Sequence, residues 1–218
     1  MDVIFEDDSI LVCYKPAGIA TQTKNIGESD MESEALNYLK DKGEKPEIHI
    51  VHRLDQPVEG VMVLAKTKEA AAKLTKQLAD HNFKKRYYAI ITRESFPEEG
   101  RLVDYIVKDN RTNLSKVVGE NNPRAKKAEL EYHTIDQWDD RKLLDIELFT
   151  GRHHQIRLQL ASRTAPILGD VKYGGITTGR SLALCSWYIG FAHPDTGESM
   201  TFTIKPKGED FADSKVAS

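Results

Sequence analysis

Cysteine is scarce in this chain, with two in 218 residues, Cys13 and Cys185. Neither has a second cysteine nearby or the Cys/His spacing of a zinc site, which argues against a disulfide framework and a cysteine-based metal site. Both read as small buried apolar groups, and a reducing compartment, the cytoplasm, is expected. Long apolar runs are missing too, so no membrane-spanning helix is expected. The opening Met-Asp-Val-Ile-Phe-Glu-Asp-Asp is acidic. It has no basic region ahead of an apolar core, so no secretory leader is expected. Repeats and low-complexity segments are absent. Nor is there an excess of one charge: 31 Lys/Arg stand against 34 Asp/Glu, a net −3. That balance does not advertise a nucleic-acid binder. What remains is an ordinary globular composition, 39% hydrophobic and 30% charged, in a length that suits one domain.

The charge is unevenly distributed. Residues 1–50 carry five Lys and eleven acids, whereas 66–93 carry eight Lys/Arg against Glu69 and Asp80. Residues 108–127 carry six Lys/Arg against Asp109 and Glu120. Any one such run is most simply a solvated face. Basic segments on both sides of a site would still suit a phosphate backbone laid across it.

Hydrophobic periodicity gives a coarse map. Val3–Phe5 and Ile10–Tyr14 alternate around a polar turn and read as a hairpin. Ser29 with Glu32 is a candidate capping box for a helix carrying Ala35, Leu36 and Leu39, which Gly43 closes. Val61–Ala65 reads as a buried strand, and Thr67 caps a helix with Ala70, Ala71, Leu74 and Leu78 on one face. Arg86–Thr92 is a strand, and 101–149 is mostly period two. Asn110–Lys127 is polar and basic and reads as a mobile loop. Gly151 starts a further helix, with His153, Ile156, Arg157 and Leu160 on one face. The last strands are Leu182–Leu184, Ile189–Ala192 and Met200–Ile204, and residues from 207 onward read as a frayed tail. Many antiparallel strands with helices inserted between them predict an α+β fold.

The most informative stretch is 52–66, His-Arg-Leu-Asp-Gln-Pro-Val-Glu-Gly-Val-Met-Val-Leu-Ala-Lys. Arg53 and Asp55 precede a turn built on Pro57 and Gly60, which leads into the apolar strand. Two residues apart on extended backbone, both side chains lie on one side of the chain. Arg53 would keep Asp55 ionised. A carboxylate held at the mouth of a core strand is a candidate catalytic group. The plainer alternative is a surface ion pair that stabilises little.

Five blocks then resemble, in order, the RluA-type pseudouridine synthases, a family of RNA-modifying enzymes. Residues 52–66 resemble the signature H-R-L-D-x-x-T-S-G-x-x-x-x-A-K. Residues 7–18 resemble its opening D-x-x-x-L-V-V-x-K-P-A-G, and Lys85-Arg86-Tyr87-Tyr88-Ala89 its K-x-Y-x-A strand. Residues 151–157 resemble G-R-x-H-Q-I-R, and residues 166–174 resemble P-I-x-G-D-x-x-Y-G. The resemblance covers nearly the whole chain. It implies a large mixed, mainly antiparallel sheet with flanking helices and a central active-site cleft, spanning a single catalytic domain over 1–206. No S4-type RNA-binding domain is expected ahead of it, because the opening block begins almost at residue 1.

The implied activity is isomerisation of specific uridines in ribosomal or transfer RNA to pseudouridine. The N-glycosidic bond breaks, the uracil turns over and rejoins through C5, and no redox group or metal is required. Asp55 aligns with the catalytic carboxylate, which must be ionised either to attack C1′ or to remove the 2′ proton. Arg157 matches the arginine that pairs with that carboxylate. Tyr87 matches the active-site tyrosine, whose ring stacks on the flipped uracil and whose hydroxyl assists proton movement at C5. Ile156 matches an apolar residue lining the uracil pocket, and His154 matches a histidine that organises the site. Without the resemblance, Tyr87 and Ile156 read as core and Arg157 as a solvated helix residue. Arg53 completes the candidate substrate-binding set together with Arg124, Lys126 and Lys127 of the basic loop. His52, His153 and His154 form no His-x-x-x-His pair, so no metal is expected, and the implied chemistry calls for no cofactor. RNA is the expected partner of a monomer.

Two departures stand out. Val58-Glu59 replaces the family's Thr-Ser, and Cys185 replaces a histidine. Glu59 is expected to point outward. These departures motivate one alternative, a catalytically silent RNA-binding protein that retains the fold. A further alternative is a hydrolase using Asp55 and Glu59 as paired carboxylates. The basic loop generates a prediction. Neutralising Arg124, Lys126 and Lys127 together weakens RNA binding and flattens its salt dependence, by a slope of roughly 0.7–0.9 for each phosphate no longer neutralised. A salt titration showing an unchanged slope removes the loop from the RNA path.

Overall fold

A computed structural model of the chain describes residues 1–23, 25, 27–93, 95–176 and 181–216. The first half of the chain runs β1 (Asp2–Glu6), β2 (Ile10–Lys15), α1 (Met31–Asp41), β3 (His49–Ile50), β4 (Glu59–Ala65), α2 (Lys68–Ala79) and β5 (Lys84–Ile91). It continues through β6 (Glu99–Asp109), β7 (Leu114–Val118), β8 (Lys126–Trp138), β9 (Arg141–Leu148), α3 (Gln155–Ala161), β10 (Leu184–Ala192) and β11 (Ser199–Thr203). The class is α+β, on mainly antiparallel sheet, as the strand pattern predicts. Two compact units form, where the sequence pattern suggests one domain over 1–206. One comprises Met1–Lys84 and Ser186–Pro206, the other Lys85–Cys185 and the C-terminal stretch from Lys207.

In the first unit the strands run β1-β2-β4-β10-β11, with β3 on β4. Every residue of β2 and β4 is buried. Their near-continuous apolar sequences are what a strand covered on both faces requires. One face holds Ile10, Val12, Val61, Val63 and Ala65, packed with Ala70 and Leu74 of α2 and with Phe83 and Phe191. Thr67 caps α2 as predicted, its hydroxyl accepting from the Ala70 N–H at 3.1 Å. The cap of α1 lies one residue beyond the predicted Ser29. Asp30 accepts from the Ser33 N–H at 2.8 Å, and the Asp30 N–H donates to the Ser33 hydroxyl at 3.1 Å. The Ser29–Glu32 spacing matches a capping box, but the Asp30 carboxylate supplies the better acceptor.

The second unit is a sheet of order β5-β9-β8-β6-β7, antiparallel throughout. Two expectations are corrected here. The segment 110–127 is not simply a loop: Leu114–Val118 forms β7, hydrogen-bonded along β6 from Tyr105↔Val118 to Asp109↔Leu114. The run Leu114–Val118 is too short and too polar to stand out among its neighbours, and pairing with β6 supplies the rest. Nor is 207–216 frayed. A 3-10 turn at Glu209–Phe211 buries Phe211 to 2% exposure, with Asp210 and Ser214 also buried. One aromatic side chain anchors an otherwise polar stretch. Residues 217–218 of the expected tail lie outside the described residues.

Gly60, the second residue of β4, adopts φ +144°, and a Cβ there would lie 2.5 Å from both the Cβ and the carbonyl oxygen of Ser186. Both the backbone angle and the close approach demand glycine. Gly60→Ala is therefore expected to lower stability by about 2 kcal/mol or more, measured as a fall in the urea midpoint. An unchanged midpoint would show that β10 yields at no cost.

Candidate active site

Asp55 sits at the first position of a turn closed by the Val58 N–H donating to the Asp55 carbonyl at 3.0 Å. It is half-buried, between buried Leu54 and exposed Gln56. The approach to the turn is held by Thr21, whose hydroxyl donates to the Leu54 carbonyl at 2.9 Å and accepts from the Leu54 N–H at 3.1 Å. The far side is held by residues of the opening block. The Gly18 N–H donates to the Gln56 carbonyl at 2.8 Å, and Gln56 Nε2 returns a bond to the Gly18 carbonyl at 3.1 Å. The two sequence blocks, more than thirty residues apart, thus form one rigid loop pair around Asp55. Arg53 is exposed and donates to the Gln22 side chain at 2.7 Å, so it ties the same two loops together.

Lys15 is a functional candidate that sequence reasoning passed over. It ends β2 and is fully buried. Its ammonium donates to the carbonyls of Pro16 at 2.9 Å and Gln56 at 3.1 Å. Burial pulls its pKa down to about 8, while the negative charges of Asp55 and Glu59 push it up. The signal was present in the K-P-A-G motif, where a lysine closes an otherwise apolar run. Glu59 corrects an expectation. It does not point outward but is 3% exposed, and its carboxylate accepts a hydrogen bond from the Tyr14 hydroxyl. As the first residue of β4 it lies beside the end of β2, where Tyr14 and Lys15 supply a donor and a compensating charge. A buried carboxylate is tolerated when it is both bonded and balanced.

Tyr87 lies on β5, whose buried face alternates as Lys85, Tyr87, Ala89 and Ile91. Its neighbour Tyr88 faces the other way, and burial with the nearby Asp145 charge pushes the Tyr88 phenol up to about 12. Arg157 belongs to α3 and is 3% exposed. Its Nε and Nη2 donate to the two carboxylate oxygens of Asp170 at 2.8 and 2.7 Å. Asp170, 1% exposed, also accepts from the N–H groups of Lys172 and Tyr173, at 3.1 and 3.3 Å. The chain turns at Gly169-Asp170, and the turn fixes a guanidinium in a bidentate fork. The Tyr173 ring lies 5.4 Å from the Arg157 guanidinium.

The predicted helix start at Gly151 is also corrected, because α3 begins at Gln155. His154 precedes it in the left-handed region, φ 54°, which removes His153 from the helical face. The Gln155 side-chain oxygen instead accepts from the Arg152 N–H at 3.0 Å and the Thr150 hydroxyl at 2.7 Å. His154 is buried, its Nδ1 2.9 Å from the Tyr173 hydroxyl, and its ring stacks on His153 at 3.7 Å between centroids. The Ser115 hydroxyl on β7 donates to the His153 carbonyl at 2.9 Å. Ile156 is buried at 4%. Arg124, Lys126 and Lys127 are exposed, as a polyanion would need, and Lys127 is paired with Glu129 at 2.7 Å. Among the described residues no group of three His, Cys, Asp or Glu side chains is placed to hold a metal ion. No described helix is long and apolar enough to cross a membrane.

Comparison with known proteins follows the same residues. A family model described as RNA pseudouridylate synthase matches residues 9–162, a span that includes Asp55, Tyr87 and Arg157. The chain is 32% identical over 217 residues to ribosomal large subunit pseudouridine synthase D of Zymomonas mobilis, covering 93% of this chain and 68% of that protein. It is 31% identical over 218 residues to the protein of the same name in Vibrio parahaemolyticus, covering 93% and 66%. An uncharacterised RNA pseudouridine synthase of Bacillus subtilis is 34% identical over 178 residues, 80% of this chain and 58% of that one. The chain thus spans between 58% and 68% of the length of these relatives. The solved structure of human RNA pseudouridylate synthase domain containing 4 shares the fold, with a TM-score of 0.78 at 22% identity over 94% of this chain and 89% of that one.

The Lys15–Glu59 arrangement predicts a pH signature. Glu59→Gln removes a charge that favours the lysine's ionised form, so stability at pH 7 should fall by about 1–3 kcal/mol. Because Lys15 has a folded-state pKa of about 8, below its ordinary value of 10.5, it loses its proton in the folded protein first. The deficit should therefore shrink as pH rises through about 8. Urea unfolding at pH 7 and 9.5 checks this, and a deficit independent of pH would exclude the coupling.

Proposed function

Because the chain belongs to the RNA pseudouridylate synthase family, we propose that it isomerises uridine to pseudouridine in RNA, with Asp55 as the catalytic carboxylate. The observation that carries this reading is the match over residues 9–162, inside which the H-R-L-D, K-x-Y and H-Q-I-R blocks stand unbroken. Asp55 acts at the ribose. Its turn is clamped from both sides by backbone bonds, the fixed geometry that catalysis by a positioned group demands. Tyr87 stacks on the everted uracil and serves the proton at C5. Arg157 supplies positive charge to the proposed chemistry, and Asp170 fixes its orientation. Ile156 walls the base pocket, and His154 holds the Tyr173 ring that lies beside the arginine. Arg53, Arg124, Lys126 and Lys127 meet the RNA backbone. No cofactor enters the chemistry as proposed, since bond cleavage and rejoining at C5 are redox-neutral.

The large-subunit ribosomal RNA is the proposed substrate, because relatives at 32% and 31% identity carry that name. Eversion of the uridine costs a few kcal/mol of unstacking, and the backbone contacts offset it. The chain is proposed to act as a monomer in the cytoplasm, where its two buried cysteine thiols stay reduced.

Ribosomal RNA labelled with tritium at uracil C5, from a strain lacking the gene, tests the assignment. The wild-type chain is expected to release tritium and Asp55→Asn to release none, while both bind the RNA. Equal release by the two proteins would remove Asp55 from the chemistry. Binding without release by the wild type would favour the silent binding protein, and free uracil in the products would favour the hydrolase.

A further inference from the structure

Lys85 is the second residue of β5 and points to the same buried face as Tyr87. It is 8% exposed, yet among the described residues its ammonium has no hydrogen-bond or ion-pair partner. The charged end of this buried stem comes up beneath Gly151. A Cβ on Gly151 would lie 3.4 Å from Lys85 Nζ, and Gly151 itself is exposed. The ammonium therefore approaches solvent where the chain carries no side chain. The next residue, Arg152, is exposed and is held in place, its Nε donating to the Lys127 carbonyl at 2.8 Å. Its backbone N–H is held by Gln155 at 3.0 Å. Burial and the like charge of Arg152 together pull Lys85 down to about 8.

A cation taken out of water is normally balanced by a carboxylate, as Arg157 is by Asp170. Lys85 is instead accompanied by a second cation. Such an arrangement destabilises the unliganded protein, and an anion bound between the two charges reverses the cost. We propose that Lys85, Gly151 and Arg152 form a receptor for one backbone phosphate of the bound RNA. The proposal rests on the RNA reading above and adds a position to it. Residues two apart on a strand are about 7 Å apart, so the phosphate is held one step along β5 from Tyr87, next to the everted uridine. Lys85 supplies a point charge with three donors and Arg152 a planar fork, a pairing suited to phosphate oxygens. The missing Cβ at Gly151 leaves room for one of those oxygens against Nζ.

The test uses the full chain and a fluorescein-labelled dodecamer of uridylate, with anisotropy read across a salt series. Lys85→Met is expected to lower the slope of log affinity against log salt by about 0.7, one single-strand phosphate contact, and to weaken binding severalfold at fixed salt. Its melting temperature should stay level or rise, since an unbalanced buried charge is gone. Lys85→Arg should restore the slope. Gly151→Ala, whose methyl meets Nζ at ordinary contact distance, should melt normally and bind more weakly. An unchanged slope in Lys85→Met overturns the receptor, as does a wild type that shows no salt-dependent binding. Earlier melting of Lys85→Met, with no rescue of binding by Lys85→Arg, assigns the lysine a structural role and overturns it too. Tritium release measured in parallel separates the two readings. Release by the wild type with an unchanged slope leaves the isomerase standing without the receptor. A changed slope without release leaves the receptor standing without the isomerase.

Discussion

Charge removed from water must be compensated, and that constraint shapes both units of this protein. In the first unit, Lys15 is sealed at the end of β2 and satisfied by the Pro16 and Gln56 carbonyls, with Asp55 and Glu59 as its balancing charges. In the second, Arg157 and Asp170 bury each other in a two-pronged pair. Breaking such a pair from one side leaves an orphaned charge and costs about 3–5 kcal/mol. The loops that carry the family motifs are therefore not free to drift. Each is fastened to a strand or helix end by an ion that has nowhere else to go.

The same constraint gives meaning to the chain's departure from its family's pattern. Where relatives of the motif type carry two hydroxyls, this chain carries Val58 and Glu59, and the carboxylate turns inward. It can do so because β2 ends in Tyr14-Lys15, which provides one hydroxyl donor and one positive charge. Glu59 is thus tied across to β2 through the Tyr14 hydroxyl, while the Asp55 turn keeps its backbone closure. Nothing in the structure explains why Cys185 stands where a histidine is the family's choice. It is a fully buried thiol.

Candidate site residues in the second unit belong to a connected polar chain. Ser115 on β7 reaches His153, His153 stacks on His154, His154 meets Tyr173, and Tyr173 lies over Arg157. Such networks rigidify a site when each member is satisfied. Here the network joins an edge strand to the base of α3. The exposed cations Arg124, Lys126 and Lys127 lie outside it.

Much of this was legible in the chain itself. The alternation of Val3–Phe5 and Ile10–Tyr14, the unbroken apolar run after Gly60 and the Thr67 cap announced their elements, because each rests on local periodicity or a local hydrogen bond. The identities of Asp55, Tyr87 and Arg157 as candidates were equally available, since they sit inside short motifs. Other features could not be read from the chain alone. The inward turn of Glu59, the burial of Lys15, the pairing of β7 with β6 and the anchoring of Phe211 each depend on a partner distant in sequence. A side chain's cost of burial is set by what surrounds it, and one-dimensional spacing does not say what that is. The sequence by itself marked those strands and helices that rest on local periodicity and caps, and the residue types that are candidates for the chemistry. Tertiary structure decided which charges are buried, which partner balances each, and that Lys85 is left without one among the described residues.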